Sequence, residues 1–186
     1  MISNTKEAWG WPARTFHWVI ALMIIIVFAL GLWMTEVPAR SERPFYFGIH
    51  GSIGITLLVI LVARFLWSML NRSPDAPPGT PAWQVAASRV THGALYALTF
   101  VAAVLGWLLS GSLEPPIEPQ AFGLVPMPAP VNVGSYDDFV EEAHEFVAFA
   151  LIAVAAVHTV AALWHHFVLR DNVLRRMLVS EPHTKA

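Results

Sequence analysis

Four times along the chain, charged residues stop for the length of a membrane span. The intervals between Arg14 and Glu36, Arg43 and Arg64, Arg89 and Glu114, and Glu145 and Arg170 hold 21, 20, 24 and 24 uncharged residues. At about 1.5 Å rise per residue a 20-residue helix covers the hydrocarbon core of a bilayer. Only a helix or a closed barrel satisfies its own backbone hydrogen bonds there. The expected fold is therefore an all-α membrane protein, a bundle of four transmembrane helices over about 15–35, 46–68, 88–113 and 139–169. Composition agrees, because 13% charged residues against 56% hydrophobic residues, with a mean hydropathy of +0.56, cannot furnish a water-facing surface. The first interval has a long apolar run and no small-residue cleavage pattern after Trp33, so it reads as a retained helix rather than a removed leader.

Lysine and arginine divide unevenly between the two sides. Lys6, Arg14, Arg64, Arg72, Arg89, Arg170, Arg175, Arg176 and Lys185 fall on one side and Arg40 and Arg43 on the other. By the positive-inside rule both termini are cytoplasmic. The opposite side collects Glu36, Glu42, Glu114, Glu118, Asp137, Asp138, Glu141, Glu142 and Glu145. The connections are short, and the two longer ones, 71–83 and 114–138, are rich in proline, so the chain reads as a single membrane domain over 1–186. The apolar, proline-spaced stretch 122–133 suits a lid on the membrane interface.

There is no cysteine, which excludes disulfides, thiolate metal sites, iron–sulfur clusters and covalent haem attachment. A formal charge of −2 leaves no basic face for nucleic acid. No phosphate-binding loop, dinucleotide fingerprint, nucleophile elbow or H-E-x-x-H occurs.

The eight histidines are what remains. His17, His50 and His92 each open a helix, and His144, His158, His165 and His166 lie along the fourth. Ionisable residues at membrane depth are expensive and usually functional. Fourteen residues separate His144 from His158, a difference of about 40° in azimuth and about 21 Å in height, so one helix presents two stacked ligands. A planar macrocycle held by a histidine from each of two facing helices fills such a core once per leaflet. His50 is the outer histidine available to His144. On the inner side depth leaves both His17 and His92 as partners for His158. Gly48, Gly51 and Gly54 around His50, with Gly31, Gly93 and Gly106, allow close approach of a helix or a flat ring. For His17, His92 and His165, near a boundary, an interfacial histidine bonded to water is a competing reading. Zinc fits poorly, because the inner and outer histidines are too far apart to share an ion.

The strings RTFHW, HGSIG, ARFLW, HGALY and VHTVAALWHHFVLRDNVLRRML, in that order, resemble the bacterial cytochrome b561 family over nearly the whole chain. The cytochrome b subunits of nickel–iron hydrogenases and formate dehydrogenases share this four-helix plan. The resemblance implies two non-covalent b haems with bis-histidine ligation, His17 pairing with His158 and His50 with His144. His92 then becomes a neighbouring or quinone-side residue. His165 matches a position associated with quinone, either ubiquinone or menaquinone, with His92 and Arg89 near the headgroup. The implied activity is electron transfer across the bacterial inner membrane between an unidentified outer-side redox partner and the quinone pool. Oxidation of superoxide with ubiquinone as acceptor is an alternative, against which the acidic outer loops weigh. Further alternatives are a subunit anchoring a larger dehydrogenase, and a haem-free channel or scaffold.

Overall fold

The computed structural model describes residues 1–36, 38–39, 41–113, 116–128, 130 and 132–179; Arg40, Glu114, His183 and Lys185 lie outside the described residues. Four long helices carry the chain: α1 (Trp11–Glu36), α2 (Arg43–Leu70), α3 (Ala82–Ser110) and α4 (Asp137–Trp164). A π-helical turn, His165–Leu169, extends α4, and a short helix α5 (Arg175–Leu178) follows. Each of the four spans is long and apolar enough to cross a bilayer.

Each span begins earlier than the charge-free intervals indicate, α3 most of all, at Ala82 rather than 88. Helix starts are set by chain stereochemistry, not by the last charge. Pro12 and Pro44 occupy first-turn positions, where the missing N–H has no helical partner to lose, and Pro81 directly precedes α3. Arg89 thus lies inside α3, exposed, with a side chain long enough to reach the interface. At its other end α3 stops at Ser110, three residues short of the expected 113, where Gly111 donates its backbone N–H to the Leu108 carbonyl. Asp137 and Asp138 stand in the first turn of α4, favourably placed against the helix dipole.

Helix α1 packs on α2, α2 on α3 and α3 on α4. Their common core is small: Ile20 and Ile24 of α1, Leu57 and Leu61 of α2 and Leu151 of α4, flanked by Leu95, Tyr96 and Leu98 of α3. Large apolar side chains such as Leu22, Phe65, Phe146 and Val157 face outward. In water that would be an aggregation liability; in lipid it is the expected surface.

The two ends of the bundle are closed differently. At the terminal end, side chains and backbone stitch three segments together: Asn4 Nδ2 donates to the Arg72 carbonyl (3.0 Å), Asp75 N to the Lys6 carbonyl (2.8 Å) and Arg176 Nη1 to the Asp75 carbonyl (2.6 Å). Trp18 Nε1 donates to the Met177 carbonyl (2.9 Å) and Arg14 Nη1 to the Leu178 carbonyl (3.1 Å).

At the acidic end, the α3–α4 connection forms a small hairpin, β1 (Gln120–Ala121) against β2 (Val125–Pro126), with Phe122 and Gly123 both in the left-handed region. Contrary to a lid lying flat on the interface, the hairpin descends along α2. Ile117 approaches Gly48, Pro119 packs at Gly51, Gln120 N donates to Ser52 Oγ (2.9 Å) and Phe122 N to Thr56 Oγ1 (2.8 Å). Gly51 eases this contact, since a Cβ there would stand 3.3 Å from Pro119 Cβ.

Candidate functional site

The core between α1–α2 and α3–α4 contains histidine rings at two heights. Toward the acidic end His50 of α2 faces His144 of α4, ring centroids 6.1 Å apart and nearly perpendicular at 78°. Toward the terminal end His17 of α1 faces His158 of α4 at 6.2 Å and 69°. Both pairs draw one member from α4, as the fourteen-residue spacing allows. Between the two levels Phe28 and Phe149 meet edge to face, centroids 5.4 Å apart.

Helix packing fixes the orientation of each ring. His144 Nδ1 donates to the Ala102 carbonyl of α3 at 2.9 Å; a carbonyl only accepts, so the proton is on Nδ1 and Nε2 is left with a free lone pair. Gly106, one turn farther along α3, forms the floor under the same ring, where a Cβ would stand 3.0 Å from His144 Cε1. Gly31 of α1 does the same for His50, at 3.2 Å from its Cε1. Of the glycines singled out by sequence, these two lie directly against histidine rings, whereas Gly54 and Gly93 meet nothing within 4 Å. His50 Nδ1 is buried without a well-formed hydrogen bond. A buried polar atom in that condition costs free energy unless something else completes it.

His92 of α3 also reaches the terminal-end level, its ring centroid 5.1 Å from that of His158. Its Nδ1 donates to the Ser88 carbonyl at 2.7 Å, which again leaves Nε2 free. The two approaches to His158 differ in kind. Two metal–imidazole bonds of about 2 Å each, plus two half-rings, span about 6 Å. The His17–His158 separation, like that of His50–His144, is close to this span, and the His92–His158 separation of 5.1 Å is shorter than it.

Past α4, His165 Nδ1 pairs with Asp171 Oδ2, the two side chains about one-fifth exposed. Asp171 is itself fixed: its Oδ1 accepts from Val173 N (3.0 Å) and its N–H donates to the His165 carbonyl (3.2 Å). Arg170 turns the chain with a left-handed φ of 56°, which brings Asp171 back under the helix end. Arg89 is not joined to His92 or His165 by a hydrogen bond or ion pair among the described residues. Two groups escaped the sequence reading. Asp171 carried a local signal, an acid just after the last apolar turn. Arg64 lies within electrostatic reach of His17, His92 and His158, with its guanidinium 5.5 Å from the centre of the Tyr96 ring. Among the described residues no group of three or more His or acidic side chains converges as a bare metal ion would require.

Comparison with known proteins is consistent with this arrangement. The family described as prokaryotic cytochrome b561 matches residues 8–179. The chain is 34% identical over 184 residues to cytochrome b561 homolog 2 of Escherichia coli, covering 95% of this chain and 94% of that protein. It is 28% identical over 172 residues to a protein of Yersinia pestis named probable superoxide oxidase CybB, covering 87% and 90%. It is also 28% identical over 169 residues to cytochrome b562 of Cereibacter sphaeroides, covering 88% and 90%.

Proposed function

The chain belongs to the prokaryotic cytochrome b561 family, and on that footing we propose that it is a di-haem b-type cytochrome carrying electrons between a redox partner on its acidic face and the quinone pool near its terminal face. The carrying observation is the pair of facing histidine rings at two heights, 6.1 and 6.2 Å apart, one member of each on α4. In this reading His50 and His144 hold one haem and His17 and His158 the other. Bis-histidine b haem supplies one-electron transfer with no open coordination position. The lysine and arginine bias supports a terminal face in the cytoplasm of a bacterial inner membrane and an acidic face outside.

The protein's own groups do the rest. Ala102 holds His144 in the tautomer that leaves Nε2 free, and Gly31 and Gly106 leave room for the His50 and His144 rings against α1 and α3. Arg64 places positive charge beside the terminal-end rings. Quinone takes up protons with electrons, and His165, about two turns beyond His158 along the chain, is the proton-exchanging group; Asp171 holds its Nδ1. His92 lies at the level of His158, and Arg89 sits about one turn from it along α3.

The test is a reduced-minus-oxidised spectrum of the purified protein with haem counted per chain. Two b haems are expected; one would remove one of the pairings, and none after haem-replete expression would overturn the reading. Asp171→Asn is expected to keep both haems while slowing quinone reduction about tenfold to a hundredfold, the scale for losing a partner that orients a functional histidine. Unchanged quinone kinetics in that variant would remove His165 from the site.

A second reading follows from the relative named probable superoxide oxidase. Superoxide as electron donor predicts near-diffusion reduction that slows with ionic strength. Nine acidic residues against Arg40 and Arg43 on that face oppose an incoming anion. Slow reduction by superoxide that does not fall as ionic strength rises is therefore expected in stopped flow, and a fast reaction that slows with added salt would favour the second reading.

A further inference from the structure

We infer that the β1–β2 hairpin is a re-entrant element, inserted among the lipid acyl chains of the leaflet on the acidic side with Phe122 to Leu124 as its tip. Its depth is read against α2. Thr56, which accepts from Phe122 N, lies thirteen residues beyond Arg43, about 20 Å along a helix about 42 Å long. The tip therefore hangs near the middle of a span, not at its end.

Irregular backbone at that depth is tolerated only when its polar groups are satisfied without water. Most of the backbone N–H donors from Ile117 to Met127 have protein partners. Pro119 and Pro126 carry no N–H. Ile117 N donates to the Ser110 carbonyl (3.0 Å), Gly123 N to Gln120 (3.1 Å), Leu124 N to Ala121 (3.1 Å) and Met127 N to Pro119 (2.8 Å), while Ala121 and Val125 pair across the ladder. The two donors that point at α2, those of Gln120 and Phe122, end on Ser52 and Thr56. Those hydroxyls spend their own protons on the Gly48 and Ser52 carbonyls one turn back, at 2.7 Å each, so no hydroxyl proton is left unpaired. The side-chain pattern agrees. Phe122 and Val125 are each 56% exposed and Leu124 82%, and Val59 and Val62 of α2 also face outward, whereas Pro119 is fully buried. The segment's single charge, Glu118, sits on the upper rungs, level with Gly48 to Gly51. This inference is independent of the haem reading.

The absence of cysteine makes the test direct. Single-cysteine variants Leu124→Cys, Val59→Cys and Tyr136→Cys carry a nitroxide label in proteoliposomes, with an unchanged helical circular-dichroism spectrum and melting temperature as the check that each has folded. Collision with dissolved oxygen and with a water-soluble nickel chelate then reports depth. The label at 124 is expected to match that at 59, favouring oxygen over nickel at least tenfold relative to the label at 136. A label at 124 that meets nickel as freely as the one at 136 would put the hairpin in water. One shielded from both reagents would mean that protein, not lipid, covers the tip. Either result overturns the inference. Thr56→Val is expected to increase label motion at 124, and Thr56→Ser, which restores the hydroxyl, to leave it unchanged.

Discussion

His158→Ala is expected to halve the haem content of the purified protein, from two per chain to one, with the His50–His144 site retained. His144→Ala should halve it too, by losing the other site. The spectra of the two variants should then sum approximately to that of the parent. His17→Ala should reproduce His158→Ala, since the 6.2 Å between those ring centroids is near the span of two metal–imidazole bonds, and His92→Ala, whose ring centroid lies 5.1 Å from that of His158, should keep both haems. Loss of one haem in His92→Ala with retention of both in His17→Ala would reverse the assignment at the terminal end. Two normal haems in His158→Ala would remove that site altogether.

Gly106→Val is expected to abolish the His50–His144 site as effectively as removing His144, although it deletes no ligand. A Cβ at 106 already stands 3.0 Å from His144 Cε1 and 3.3 Å from its Nδ1, and valine adds two methyl groups that are stiff at χ1. The ring must then swing away from the Ala102 carbonyl that holds its tautomer. Overpacking of this kind costs typically about 1–3 kcal/mol before any cofactor is considered. Gly54→Val, at a glycine with nothing within 4 Å, is the control and should retain both haems. The readout is haem per chain beside the melting temperature. Equal loss in both variants would mean that valine harms the bundle generally, and the glycine floor would carry no specific role.

The bundle and the stacking of His144 over His158 were legible because membrane helices announce themselves through charge-free length and because 3.6 residues per turn is a property of any helix. Helix bounds were less so: Arg89 marked a boundary by charge, yet a long cationic side chain reaches the interface from inside a helix, and α3 starts at Ala82. The choice between His17 and His92 could not be made from depth, since the two reach nearly the same level and differ only in the separation that packing of α1 and α3 against α4 imposes. Asp171 depends on a left-handed residue at Arg170, which composition does not signal because glycine is absent there. The hairpin was the least legible element. Proline richness marked 114–138 as irregular, but its descent rests on two hydroxyls, Ser52 and Thr56, sixty-odd residues earlier in an otherwise apolar helix.

The stitching of the terminal end sets a clock on biosynthesis. Trp18 and Arg14 find their partners in the carbonyls of Met177 and Leu178, some 160 residues later in the chain. At ribosomal rates of about 5–20 residues per second, roughly 10 to 30 s pass between the emergence of the first helix and that of the segment that closes it. Through that interval the Trp18 indole N–H and the Arg14 guanidinium must be served by water or lipid headgroups. The exchange of those temporary partners for the Met177 and Leu178 carbonyls becomes possible only once that later segment has been made and folds back against α1.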